Sequence, residues 1–247
     1  MPIDLVAVTL RLRQVVSISR VEEPTSATPW GFWATVGWVA LAVVVGLAGT
    51  YLVGFGEGLD LLGQPRAPAG TGLVISILAI FVLLLAAKLS QIPVREYFAL
   101  HRPTYLDGYY WAIGVTISAI LNTFLNNVAD ANFAIEAYHV ARSNRTLPLL
   151  LISIVIWEPI FEELVFRGFI FRGWFQRLGP VVTIVLTSAL CSVIHLQYSW
   201  QGTSFLIGFG LVLGWVRWRT GSVIAPLFLH FTVNFIAMML TGLLHGN

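Results

Sequence analysis

The stretch Trp157-Glu158-Pro159-Ile160-Phe161-Glu162-Glu163-Leu164-Val165-Phe166-Arg167-Gly168 decides how this chain is read. It holds three of the twelve acidic residues, and Phe169-Ile170-Phe171 continue the apolar run beyond them. A charged side chain at mid-bilayer costs about 2.5–3.5 kcal/mol even on a lenient insertion scale. Several such charges facing lipid would be prohibitive, so they are expected to face one another or a watered cavity. The alternative is a helix mouth whose charges reach the interface, and the continuing apolar run speaks against it. Glu163 and Arg167 stand at i,i+4 with the acid first, the favourable order for a helical ion pair. Glu158 and Glu162 share the same spacing, which puts two carboxylates on one face. Pro159 removes a backbone donor between them and can kink the helix. A kink beside a like-charge face suits a cavity lining better than a packing seam, and a crowded, buried carboxylate suits general-base work. Glu158 itself reads as a structural residue rather than a chemical one.

Composition sets the frame for this stretch. Of 247 residues, 57% are apolar and only 11% charged, with a mean hydropathy of +0.82. A soluble domain carries roughly 45–50% apolar and about 25% charged residues. Too few charges are present to coat a water-facing surface, and disorder is excluded on the same grounds. The net charge of +2, from 14 basic and 12 acidic residues, leaves no nucleic-acid footprint. Cys191 is the single cysteine, so no internal disulfide and no cysteine metal cluster can form.

Seven stretches reach membrane length, at roughly 32–54, 71–90, 109–128, 146–171, 179–197, 203–218 and 222–243. Such spans must be helical, because lipid offers no partner to open backbone groups. The expected fold is therefore all-α, a polytopic transmembrane bundle of seven or eight spans. An eighth or re-entrant segment has room in 91–108 or 126–145. Residues 1–31 form an N-terminal cytoplasmic or interfacial segment, and 32–247 the transmembrane domain. With the N-terminus inside, eleven Lys and Arg fall on the inner side and three on the outer (Arg66, Arg142 and Arg145), as the positive-inside rule requires.

Two further spans carry polar groups. His195 lies near the end of one, in Cys191-Ser192-Val193-Ile194-His195. His230 and Asn234 share a face of the last, at i,i+4. Each alone could be interhelical glue, worth about 0.6 kcal/mol per hydrogen bond. Three constellations in successive C-terminal spans are harder to assign to packing. HExxH, GxSxG and P-loop motifs are absent.

The pattern Glu162-Glu163-x-x-x-Arg167, a histidine in the next span, and His230-x-x-x-Asn234 resembles the CPBP family, the CAAX proteases and bacteriocin-processing enzymes. The similarity covers roughly residues 145–240. Its second motif usually reads FxxxH, and here Cys191 replaces the Phe at a packing position while His195 is kept. The resemblance implies an intramembrane glutamate-type endopeptidase with an active site between the C-terminal spans. Glu162 would activate a water and His195 would help hold it. His230 and Asn234 would stabilise the oxyanion, with Glu163 and Arg167 organising the site. No cofactor is implied. Glu162, His195 and His230 are nevertheless also an acceptable Zn²⁺ ligand set, so zinc is the alternative. The implied partners are the bilayer and a membrane-associated or prenylated peptide or protein, in a bacterial or archaeal plasma membrane. Two other functions remain open, a proton-coupled transporter and a non-catalytic scaffold or immunity factor of the same fold. Transporters often repeat broken helices in both halves, whereas the polar residues here cluster in the C-terminal half.

One geometric tension is visible in advance. At 1.5 Å per residue, Glu162 lies about 24 Å from a span start near 146. His195 lies a similar distance from an opposite-side start near 179. The two meet only if the first span is long or tilted, or starts later. The orientation predicts that a cysteine placed near Gly58 is labelled by an impermeant reagent from outside and one near Ser90 is not. Equal labelling of the two would overturn it.

Overall fold

A computed structural model describes residues 30–53, 69–103, 114, 131–195 and 200–245. Among them every regular element is helical. In chain order these are α1 (Phe32–Val53), α2 (Ala69–Leu89), α3 (Val94–Tyr97), α4 (Ala131–Ser143) and α5 (Leu147–Leu151). Then come the π-helical turn π1 (Ile152–Trp157), α6 (Glu158–Glu162), π2 (Glu163–Ile170), α7 (Phe171–Val193), α8 (Trp200–Thr220) and α9 (Ile224–His245). Residues 1–29, and all of the expected span at 109–128 except Gly114, lie outside the described residues. By length and apolarity alone, Phe32–Leu52 and Ile224–Leu243 are long enough to cross a membrane, while Leu73–Leu89 is a shorter apolar helix. The outward faces are apolar. Trp33 and Leu52 of α1 are 72% and 73% exposed, and Phe81 of α2 is 65% exposed. Continuous apolar surface of this kind is a liability in water and a fit for lipid. The fold is a helical bundle of membrane type.

The sequence placed a connection at 172–178, and the structure corrects this. Helix continues unbroken from α5 through π2 into α7 as far as Gly179, where φ is 71° and ψ 174°. That left-handed conformation suits glycine, and Pro180 starts the second limb of α7 with a φ already set for a helix. The result is an antiparallel hairpin turning at Gly179. Glu162 is 17 residues before the turn and His195 is 16 after it, so each lies about 25 Å from the turn at 1.5 Å per residue. The depth mismatch disappears once both arms are measured from one turn. Proline in a helix removes an N–H and crowds the preceding carbonyls. Around Pro159 the chain does not break; the wider π turns on either side of α6 absorb the misfit.

Small residues bring the helices together. In α1, a Cβ on Gly46 or Gly49 would meet Ile75 or Leu78 of α2, and on α7 a Cβ at Gly173 would meet Thr35 of α1. Close approach through glycine is a standard way for membrane helices to gain van der Waals contact. The main core joins α2, α3 and π2 through Leu83, Ala86, Tyr97, Phe98, Phe169 and Ile170, all at most 2% exposed, and Trp174 and Cys191 of α7 join it. Arg172 ties α3 to α7: its Nη1 donates to the Glu96 carbonyl at 2.7 Å and its guanidinium lies over the Tyr97 ring. Burial pushes the Tyr97 phenol up to about 12, against the pull of Trp30 and Arg172. The region 126–145, where a further segment had room, holds α4 in its described part, 13 residues that include Glu136, His139 and Arg142.

The α7–α8 contact offers a clean stability test. A Cβ on Gly210 would lie 2.9 Å from the Ser188 Cβ and 3.1 Å from its Cα, whereas one on Gly208 meets nothing within 4 Å. Gly210→Ala is expected to destabilise by about 1–3 kcal/mol, the usual range for overpacking. Gly208→Ala is expected to be neutral or slightly stabilising, because alanine is the better helix former. Melting temperatures in detergent check both.

Candidate active site

Four helical stretches, α6–π2, the end of α7, α8 and α9, converge on a buried polar cluster, and each polar contact has a local reason. In π2, Glu163 and Arg167 are both fully buried and form the i,i+4 ion pair, Arg167 Nη1 to Glu163 Oε1 at 3.1 Å. A guanidinium has five N–H donors and no acceptor, so one carboxylate cannot satisfy it. Arg167 Nη2 donates to the Gly210 carbonyl of α8 at 3.1 Å, and Nη1 also lies 3.9 Å from Cys191 Sγ on α7. Gly210 can present its carbonyl this closely because it has no side chain to hold α8 away. From α8, Arg217 Nε donates back to the Arg167 carbonyl at 2.9 Å.

The two adjacent glutamates face different partners. Glu162, 4% exposed, turns toward α7. Its Oε1 is 3.3 Å from His195 Nε2, and its Oε2 accepts the Cys191 thiol at 3.3 Å. Glu163 turns toward α9, where His230 Nδ1 lies 2.9 Å from the same Oε1 that holds Arg167. Its Oε2 has no hydrogen-bond partner among the described residues. Consecutive residues on a helix point about 100° apart, which is how one dipeptide serves two neighbours.

The histidines are oriented by these contacts. His195 Nδ1 lies 2.9 Å from the carbonyl of Cys191. A carbonyl can only accept, so Nδ1 carries the hydrogen and Nε2 is directed at the carboxylates. His230 packs edge-on against Phe209, with ring centroids 5.4 Å apart. Asn234, one turn along α9, donates Nδ2 to the Ile154 carbonyl at 2.9 Å. That carbonyl lies in π1, where the usual i→i+4 ladder is interrupted. His230 and Asn234 thus share a face of α9 and both point at the α5–π2 rod, but onto different partners.

Glu158 adds a third group. Its side chain is 43% exposed, and its Oε1 is 3.8 Å from His195 Nε2. The ligand atoms of Glu158, Glu162 and His195 all lie within 4.8 Å of one another. Two carboxylates and an imidazole could hold a divalent cation. The zinc set expected from sequence had His230 as third member; here His230 is turned to Glu163, and the carboxylate that converges is Glu158. Sequence reasoning gave Glu158 no chemical role and treated Cys191 as packing. The i,i+4 spacing of Glu158 and Glu162 was the available signal for the first. For Cys191 the signal was its place one turn before His195.

Paired carboxylates and oriented imidazoles thus form one buried polar cluster inside a bundle whose outer faces are apolar. Residues 144–236, which supply every one of these side chains, match the family model of the Rce1-like type II CAAX prenyl endopeptidases. That segment carries a domain of the CAAX protease family. No curated protein and no solved structure matches the chain.

The two glutamates are expected to respond differently to substitution. Glu162→Gln keeps the fold and abundance and abolishes peptide cleavage. Glu163→Gln leaves Arg167 buried without its counter-ion and weakens the hold on His230. Breaking a buried pair costs about 3–5 kcal/mol, so this variant should melt early in detergent and lose activity as a consequence. A stable Glu163→Gln beside an unstable Glu162→Gln would reverse the assignment.

Proposed function

We propose that the chain is an intramembrane endopeptidase in which Glu162 is the general base. The observation that carries this is the facing pair Glu162 Oε1 and His195 Nε2, 3.3 Å apart on the two arms of the hairpin. A water beside the pair could sit about 2.8 Å from both atoms, ordinary hydrogen-bond geometry. Glu162 takes its proton as the oxygen attacks the peptide carbonyl, and the same proton passes to the departing amine. His230 and Asn234 are the donors for the tetrahedral oxyanion. Asn234 spends one of its two amide hydrogens on Ile154 and keeps a second. Removing a preorganised oxyanion donor typically costs about 10²–10³ in rate. Glu163 and Arg167 hold the frame, and Glu163 also fixes the His230 ring.

The substrate fits the same reasoning. A site among apolar helices receives a peptide bond already at the membrane, from a membrane-associated or prenylated protein or peptide. The polar cluster lies in the C-terminal helices alone, which favours a single hydrolytic cavity over an alternating-access pathway. Intact carboxylate–imidazole pairs favour chemistry over a scaffold role.

The competing mechanism has a metal in the Glu158, Glu162 and His195 group as the activator of water. Protein purified in detergent is expected to cleave a quenched membrane-peptide substrate at an unchanged rate after exhaustive EDTA and 1,10-phenanthroline. Elemental analysis should find well under one zinc per chain. Activity lost on chelation and restored by Zn²⁺ would make these residues ligands and replace the glutamate-base mechanism.

A further inference from the structure

We propose that Cys191 is a positioning residue for the base, resting on the reading of Glu162 above: its thiol holds Glu162 Oε2 and keeps the carboxylate away from Arg167. Three contacts carry this. Sγ donates to Glu162 Oε2 at 3.3 Å, Arg167 Nη1 lies 3.9 Å from the same sulfur, and the Cys191 carbonyl orients His195 at 2.9 Å. The side chain is buried, at 9% exposure.

The geometry explains why a thiol matters here. Glu162 has two oxygens, and the one facing His195 must stay available to water. The other is satisfied by the thiol, so both ends of the carboxylate are held by residues four apart, Cys191 in α7 and His195 just past its end, and the base has a single orientation. Cys191 also sits between Glu162 and the buried guanidinium. A direct Glu162–Arg167 pair would be a charge-assisted bond of the strong kind and would use up the carboxylate that has to take the proton. With sulfur in between, Arg167 is committed to Glu163 and the Gly210 carbonyl. Arg167 and Cys191 each lie twelve residues from Gly179, so the hairpin places them at one level. A purely apolar residue at 191 would fill the space but leave Glu162 Oε2 without a donor, an expensive state for a buried polar atom.

Ser and Ala at position 191 are nearly equal in volume and differ by one hydroxyl, so the pair separates hydrogen bonding from packing. Cys191→Ala is expected to lower kcat about tenfold or more with KM nearly unchanged, the size of a lost hydrogen bond to a charged group. Cys191→Ser should keep most of kcat. Because Cys191 is the only cysteine, its S–H stretching band in the infrared reports this contact alone and needs no substrate. In the wild-type protein the band should lie below that of an unbonded thiol. It should shift partly upward in Glu162→Gln, whose neutral amide is a weaker acceptor, and fully in Glu162→Ala. A band that neither Glu162 variant moves overturns the proposal. So does a kcat equal in Cys191→Ala and Cys191→Ser, even if the band moves. If the band shifts as expected while the wild-type protein cleaves no peptide, the endopeptidase reading fails and the thiol contact stands.

Discussion

Arg167 is the constraint on which the rest of this structure depends. A guanidinium with no exposure to solvent, inside a bundle whose outer faces are apolar, has to be neutralised and hydrogen-bonded from within. One helix cannot do that. Its own segment supplies Glu163, α7 supplies Cys191, α8 supplies the Gly210 carbonyl, and α9 joins through His230 on the shared Glu163 oxygen. Satisfying one cation therefore fixes the relative height and rotation of four helical segments. The same contacts leave Glu162 free of an arginine and facing a histidine.

The arrangement divides labour between neighbours in the chain. Glu163 takes the pairing with Arg167. The contacts of Glu162 are instead a thiol and an imidazole, one on each carboxylate oxygen. Glu158 stands at the edge of the same group, half out of the protein, and gives the cluster a polar side toward the outside. Glu158 and Glu162 along one helix face run from an exposed position to a buried one, so the cluster is polar from its edge inward.

Helix irregularity serves that geometry. The π turns on each side of Glu158–Glu162 change the angular step between residues. They also free carbonyls such as that of Ile154 to accept from Asn234. Gly179 then returns the chain so that the two arms carry matched levels: Glu162 with His195, and Arg167 with Cys191. Without a residue able to adopt positive φ there, the levels would not face one another.

Much of this was legible in the sequence. Composition alone demanded a membrane bundle, because 11% charged residues cannot cover a water-exposed surface. The Glu162-Glu163-x-x-x-Arg167 spacing announced a helical ion pair, and the spacing of His230 and Asn234 announced a shared face, since local periodicity fixes which side chains on one helix are neighbours. What periodicity cannot supply is the partner across the gap. The sequence did not reveal that His230 grips Glu163, that Asn234 reaches a π-turn carbonyl, or that Cys191 touches both Glu162 and Arg167. Nor did it reveal that the chain stays helical to Gly179. Each of those depends on helix rotation and register. Tertiary packing sets them by letting glycines bring backbones close and by bringing partners for the buried ions from other segments.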